Sequence, residues 1–167
     1  MIFEGSVHLI GDNQDTDGMI AGRYLSILDP NELAKHLFEE VDPGFRERIK
    51  QGDLILAGKN FGSGSGREQA PFALKALGLC VVATSFSRTF YRMGIDLGLP
   101  VITCPASVRA AAKQGQKARL DTGTSELTLD GVRYQTDPVP KFLQQVVDQG
   151  GITNWIKGEV QRRRAMA

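Results

Sequence analysis

Cysteine is almost absent from this chain of 167 residues: Cys80 and Cys104 are the only two. No CxxC pair or Cys/His cluster surrounds them, and His8 and His36 are equally isolated, so no zinc site can be assembled from the spacing. Both thiols are expected to be core groups of a protein kept in a reducing compartment. An excess of one charge is also lacking. Lys and Arg total 20 against 19 Asp and Glu, so no overall field draws the chain to nucleic acid, a membrane surface or a polycationic partner. No apolar run approaches the ~20 residues of a membrane span. Ile2-Phe3-Glu4-Gly5 opens the chain without a basic region and a long apolar stretch, which speaks against a signal peptide. A cytoplasmic protein is the expectation. No internal repeat or dividing linker is visible, so residues 1–167 are read as one domain, long enough to bury roughly two-thirds of the surface of its unfolded chain. The short basic tail from Gln161 to Arg164 is expected to be solvated and frayed.

Strand and helix signals alternate along the chain. Ile2 to Ile10 reads as a first strand, followed by a polar, turn-forming loop from Gly11 to Gly18. Asp29-Pro30 opens a helix with Leu33, Leu37 and Phe38 at helical spacing, and a short helix is expected from Pro43 to Ile49. Asp53 to Gly58 is a brief apolar strand, and a helix is expected from Arg67 to Leu77. The apolar run from Leu79 to Thr84 suits a strand covered on both faces, with Ser85 capping a helix from Phe86 to Leu97. Pro100 to Thr103 is another strand and Ala106 to Lys113 a short helix. Arg119 to Gln135 reads as two or three strands around an Asp130-Gly131 turn. Helices over Val139 to Gln149 and Ile152 to Val160 complete an α/β layered domain with a mixed sheet.

The most informative segment is Gly58-Lys59-Asn60-Phe61-Gly62-Ser63-Gly64-Ser65-Gly66-Arg67-Glu68, between an apolar strand and an amphipathic helix. Exposed N–H groups at a helix start carry positive partial charge, and glycines let a ligand approach the backbone. Ser65 and Glu68 also have the S-x-x-E spacing of a capping box, which alone would explain both. A dinucleotide loop needs G-x-G-x-x-G and an acidic residue ~20 residues on. Here the spacing is G-x-G-x-G, and Val81 to Arg88 contains no acid. A P-loop fails because no Gly-Lys-Ser/Thr follows. Asp12, Asp15 and Asp17 resemble a calcium loop only weakly, lacking Gly and Glu at the required positions; turn-capping is the plainer reading.

Three segments together are similar to one family. They are Gly11-Asp12-Asn13-Gln14-Asp15-Thr16-Asp17 with Gly22-Arg23-Tyr24-Leu25; Ala57-Gly58-Lys59-Asn60-Phe61-Gly62 through Arg67-Glu68-Gln69-Ala70-Pro71; and Ser85-Phe86-Ser87-Arg88 through Phe90-Tyr91-Arg92 to Gly98-Leu99-Pro100. In this order they resemble the small subunits of isopropylmalate isomerase and homoaconitase, counterparts of the mobile fourth domain of aconitase. The likeness runs over nearly the whole chain. It implies an aconitase-type swivelling (β/β/α) domain and a hydro-lyase that moves a hydroxyl group between neighbouring carbons of a hydroxy diacid. It also implies an iron-sulfur cluster (4Fe-4S) held by three cysteines of a separate large subunit, with one iron open as a Lewis acid. Two distant cysteines could not hold it, so this chain is expected to bind no metal itself and to work only with that partner.

Carried over by position, the resemblance makes Ser65 the base that removes the substrate proton and Arg67 a carboxylate-binding residue, with Gly64 and Gly66 offering backbone N–H groups. A serine hydroxyl is a poor base until its alkoxide is stabilised; a helix start and a guanidinium supply that potential, and arginine can grip a carboxylate through two parallel bonds. Asp15, Thr16 and Asp17 line the edge of the site by the same resemblance, Asp17 holding an arginine in place. Arg88, which shares a helix face with Arg92, either supports the site from beneath or is simply exposed. The family has two consecutive serines before the arginine, whereas this chain has Ser65 and Gly66, and Ser63 stands where cysteine is common.

Substrate choice in the family is associated with the segment after Tyr24-Leu25, here Ser26-Ile27-Leu28, where homoaconitase carries an arginine for a third carboxylate. An unpaired carboxylate would be costly against these residues, whereas an isopropyl or methyl group would be favoured. Isopropylmalate, and with it leucine biosynthesis, is the expected substrate assignment; homocitrate and dimethylmalate- or citramalate-type diacids are the alternatives. A stand-alone anion- or nucleotide-binding module is the alternative outside enzymes. Self-association stays open beside the large subunit.

Overall fold

The computed structural model describes residues 1–165. Its frame is a seven-stranded sheet in the order β4-β3-β2-β1-β5-β6-β7, built from β1 (Ile2–Ile10), β2 (Leu54–Ala57), β3 (Cys80–Ala83), β4 (Val101–Thr103), β5 (Lys117–Asp121), β6 (Glu126–Leu129) and β7 (Val132–Gln135). The long β1 serves two partners. Ile2 to Ser6 pair antiparallel with β5, while Val7 to Ile10 pair parallel with β2. The parallel strands finish on one line, Ile10 beside Ala57, Ala57 beside Ala83 and Ala83 beside Thr103.

β2 and β3 are buried at every position, and their alternate residues enter two cores. Ile55, Ala57, Val81 and Ala83 face the helices. Leu54, Leu56, Cys80 and Val82 face the other way, against Leu120 of β5 and Leu127 and Leu129 of β6. The antiparallel strands thus curl over one face of the parallel set, giving the mixed, layered sheet expected of a swivelling domain. This double burial explains the unbroken apolar runs, since no side chain of a central strand reaches water. At the Asp130-Gly131 turn both residues take positive φ, 45° and 85°, as a tight two-residue hairpin turn requires.

The helices are α1 (Thr16–Met19), α2 (Pro30–Ala34), α3 (Phe45–Arg48), α4 (Gln69–Ala76), α5 (Arg88–Leu97), α6 (Ala106–Ala111), α7 (Lys141–Asp148) and α8 (Ile152–Ala165). Asp29 caps α2 as expected, accepting from the N–H groups of Asn31 and Glu32. Four local expectations are corrected. The loop after β1 contains the helical turn α1. Helix α2 stops at Ala34 rather than running through Phe38, because Phe38 takes φ 58° and donates its N–H to the Met19 carbonyl at 2.8 Å. Ser87 rather than Ser85 caps α5, accepting from the N–H of Phe90. The basic tail is helical to Ala165 rather than frayed, with Arg162 paired to Glu159 at 2.7 Å.

A buried hydrogen-bonded cluster lies just before β2. Asp53 accepts from the N–H groups of Ser6 and Lys50, at 2.7 and 2.8 Å, and meets Nε2 of His8 at 2.8 Å. Asp53→Ala would strand these donors, and a loss of about 3 kcal/mol is expected in urea denaturation. Both thiols are buried, and burial pushes Cys104 up to about 11 and Cys80 higher still. At pH 8 neither is expected to react with a thiol dye while the protein is folded; both should react in denaturant.

Candidate active site at the carboxyl edge of the sheet

Because β1, β2 and β3 end in register, the loops that leave them emerge side by side, at the edge where open parallel sheets place their ligands. The glycine-rich loop is gripped from both sides. Toward the first loop, Asn13 donates its N–H to the Lys59 carbonyl, Gly62 to Gln14 and Thr16 to Ser63, at 2.8, 2.8 and 3.0 Å, with Asp15 and Ser63 bridged as in a parallel ladder. Asp12 accepts from the Lys59 N–H at 2.7 Å, and Asn60 Nδ2 donates to Asn13 Oδ1 at 3.0 Å. Toward the third loop, Phe61 donates its N–H to the Ser85 carbonyl and accepts from that of Ser87, while Ser87 Oγ donates to the Gly62 carbonyl at 2.6 Å. Phe61, fully buried, seats the loop edge-on against Phe86 and Phe90.

Above this platform three charged or polar side chains converge. The Ser65 hydroxyl is at the surface and donates to Asp17 Oδ1 at 2.8 Å. Arg67 Nε lies 3.3 Å from the same oxygen. Arg67 also lies near Gly22, where an added Cβ would sit 3.9 Å from Nη1. Asp17 is on α1, and that turn is set by Asp15, whose carboxylate accepts from the N–H of Gly18 at 2.7 Å. One exposed carboxylate therefore organises both a hydroxyl and a guanidinium from a loop distant in sequence.

The capping box is not formed. Helix α4 starts at Gln69, Glu68 makes no side-chain cap bond, and Ser65 stands clear of the first helical turn. The expectation that a helix start supplies the positive potential at Ser65 is corrected accordingly: the cation in contact with its carboxylate partner is Arg67. Gly66 takes φ 67°, and a Cβ there would lie 2.8 Å from Thr89 Cγ2, so the glycine that replaces the second serine suits both the backbone and the space beside α5. Gly64 also takes positive φ, 85°, and lies against Asp15.

Thr16 is fully buried, as part of the platform. Ser26 and Leu28 are exposed, Leu28 at 93%, whereas Ile27 is partly buried against the helix-side core. Arg88 is exposed at the first turn of α5 and makes no ion pair among the described residues. Asn13, Asn60, Ser85 and Ser87 were not singled out as site residues from the sequence. The available signal was the tolerance of asparagine for the left-handed region, used at Asn13 and Asn60 with φ 57° and 55°.

The chain is similar to known proteins along nearly its whole length. Residues 41–106 match the family described as the aconitase C-terminal domain. A 3-isopropylmalate dehydratase small subunit from Caldicellulosiruptor bescii is 43% identical over 97% of this chain and 99% of its own length. Another, small subunit 1 of Methanopyrus kandleri, is 46% identical over 95% of this chain and 94% of its own. The crystal structure of a 3-isopropylmalate dehydratase (leuD) from Methanocaldococcus jannaschii superposes with a TM-score of 0.93 at 35% identity, covering all of both chains.

The platform depends on the absence of a side chain at Gly62. It takes φ 76°, and a Cβ there would overlap the Phe90 ring. Gly62→Ala is expected to destabilise the protein by about 2–4 kcal/mol, seen as a lower thermal midpoint.

Proposed function

Since the chain belongs to the family of 3-isopropylmalate dehydratase small subunits, we propose that it interconverts 2- and 3-isopropylmalate by dehydration and rehydration, as one half of a two-subunit hydro-lyase. The observation that carries this reading is the exposed Ser65 hydroxyl, bonded to a carboxylate that also engages Arg67.

Aconitase-family enzymes use a 4Fe-4S cluster, and the donors of this chain do not suit one. Its two cysteines are buried on the sheet and beyond it, and no group of three or more His, Cys, Asp or Glu is placed to hold a metal among the described residues. The cluster is therefore assigned to a separate large subunit, and the share of this chain is proton transfer, carboxylate binding and recognition of the alkyl group.

Ser65 must shed its proton before it can take one from carbon. Asp17 Oδ1, at 2.8 Å, is placed to accept it, and Arg67, 3.3 Å from that carboxylate oxygen, is the nearby cation that offsets the negative charge left on the serine oxygen. Ser65 then removes the proton from the substrate carbon as hydroxide departs, and returns one when water adds with the opposite regiochemistry. Arg67 is about three-quarters buried by its surroundings, with 26% of its side chain exposed, and retains guanidinium N–H groups for a substrate carboxylate. Gly64 and Gly66 leave the backbone open to the diacid. Ser26 and the exposed Leu28 suit an alkyl group, and neither offers a charge to a third carboxylate, which favours isopropylmalate over homocitrate.

The test is reconstitution with a cluster-loaded large subunit of the same family, following formation of the absorbing alkene from isopropylmalate. Ser65→Ala is expected to lower kcat about a thousandfold while the two subunits still co-elute. Unaltered turnover would refute the assignment of the base. Arg67→Lys, which keeps the charge and loses the fork, is expected to raise KM about tenfold or more.

A further inference from the structure

The segment proposed to meet the alkyl group has a held root and a free tip. Its tip, Ser26 to Leu28, ends in a leucine that nothing in the chain covers. Its root is Tyr24, the last residue of the 3₁₀ turn Gly22–Tyr24, followed by Leu25, whose carbonyl accepts from Gln69 Nε2 at 3.5 Å. Tyr24 is the better anchored of the two. The His36 ring lies flat on it, with centroids 3.7 Å apart and planes within 12°. The Tyr24 hydroxyl donates to Glu39 Oε1 at 3.0 Å, and His36 Nδ1 donates to Glu39 Oε2 at 2.5 Å. Both bonds, that from His36 first, hold the Glu39 carboxyl below its ordinary range. Arg23 lies over the Tyr24 ring at 4.6 Å, bonds to Glu40 and comes within 3.9 Å of Glu39.

The segment that carries His36 is anchored in the core. Between His36 and Glu39, Phe38 is fully buried and tied to the Met19 carbonyl, two residues from Asp17. Tyr24, His36 and Glu39 thus form a closed triangle in which each touches the other two. The triangle is rooted in the core beside α1 and is separate from Ser65, Asp17 and Arg67.

We infer that His36 is a positioning residue for alkyl recognition: by stacking on Tyr24 and sharing Glu39 with it, His36 sets the direction in which Ser26 to Leu28 leave the protein. The inference rests on the substrate reading above. No member of the triangle touches the groups that move the proton, so its loss should weaken binding of the alkyl group and spare the chemical step. An off-axis segment would also lose its preference for a branched alkyl group over a smaller one, because that preference is apolar contact area.

The experiment measures kcat and KM of the reconstituted two-subunit enzyme for isopropylmalate and for citramalate, its methyl analogue. His36→Ala is expected to raise KM for isopropylmalate about tenfold with kcat within about twofold, and to narrow the preference over citramalate. His36→Phe, which keeps a flat ring on Tyr24, is expected to recover most of the loss. Thermal melts of the variants separate this effect from misfolding, and if His36→Ala unfolds, His36→Leu, which fills the space without a flat ring, carries the test with the same expected rise in KM. A fall in kcat with KM unchanged, or no change in either constant, would overturn the inference. Ser65→Ala, run alongside, reports separately on the function: its inactivity with unaltered His36 variants would sink this inference alone.

Discussion

The arrangement of the site depends on the common finishing line of the parallel strands. With Ile10, Ala57, Ala83 and Thr103 side by side, the chain segments beyond them must emerge as neighbours, and their backbones continue to pair where the strands have ended. The Asp15–Ser63 and Phe61–Phe86 bridges are the visible remainder of the ladder. A backbone hydrogen bond contributes only modestly on its own. Here several act in series across three loops, closed below by Phe61, Phe86 and Phe90, so the glycine-rich loop is held as part of the frame while remaining at the surface.

In the proposed mechanism, such fixed placement suits a serine acting as a base. A hydroxyl becomes useful only when a proton acceptor and a compensating cation are held at fixed positions, since reorganising them during the reaction would consume the benefit. Asp17 and Arg67 meet this requirement from two different elements, α1 and the loop before α4. The charge that matters is thus delivered by a side chain rather than by a helix end, and glycine at 66 has a local reason in its positive φ and in the proximity of Thr89.

The division of labour proposed between two subunits accords with the same features. The chain has two cysteines, both buried, where a 4Fe-4S cluster calls for more thiolates than that, and no group of three or more His, Cys, Asp or Glu is placed to hold a metal among the described residues. What it does present is a rigid, polar and partly exposed edge with a bare leucine beside it. We propose that this edge is where a partner docks, since the relatives that this chain matches along nearly its full length are small subunits.

The roles expected of Ser65 and Arg67 came from the resemblance to a family, whereas local pattern was enough to read the alternation of strands and helices, the apolar runs of β2 and β3, the Asp29 cap and the Asp130-Gly131 turn. These depend on neighbours a few residues apart, where periodicity and turn preference act directly. Tertiary structure decided the partners. Asp17 and Ser65 are 48 positions apart, and only the shared register of β1 and β2 brings them together. The same cause explains the misread caps: Ser65 and Ser85 both fit the local pattern, but Ser65 donates to Asp17 and stands clear of a helix that starts only at Gln69, while the Ser85 oxygen accepts from the N–H of Asn60. Helix α2 stops early for a related reason, because burying Phe38 against Met19 outweighs continuing one turn. A polar side chain follows its stronger hydrogen-bond partner, and when that partner is distant in sequence no local pattern reveals it.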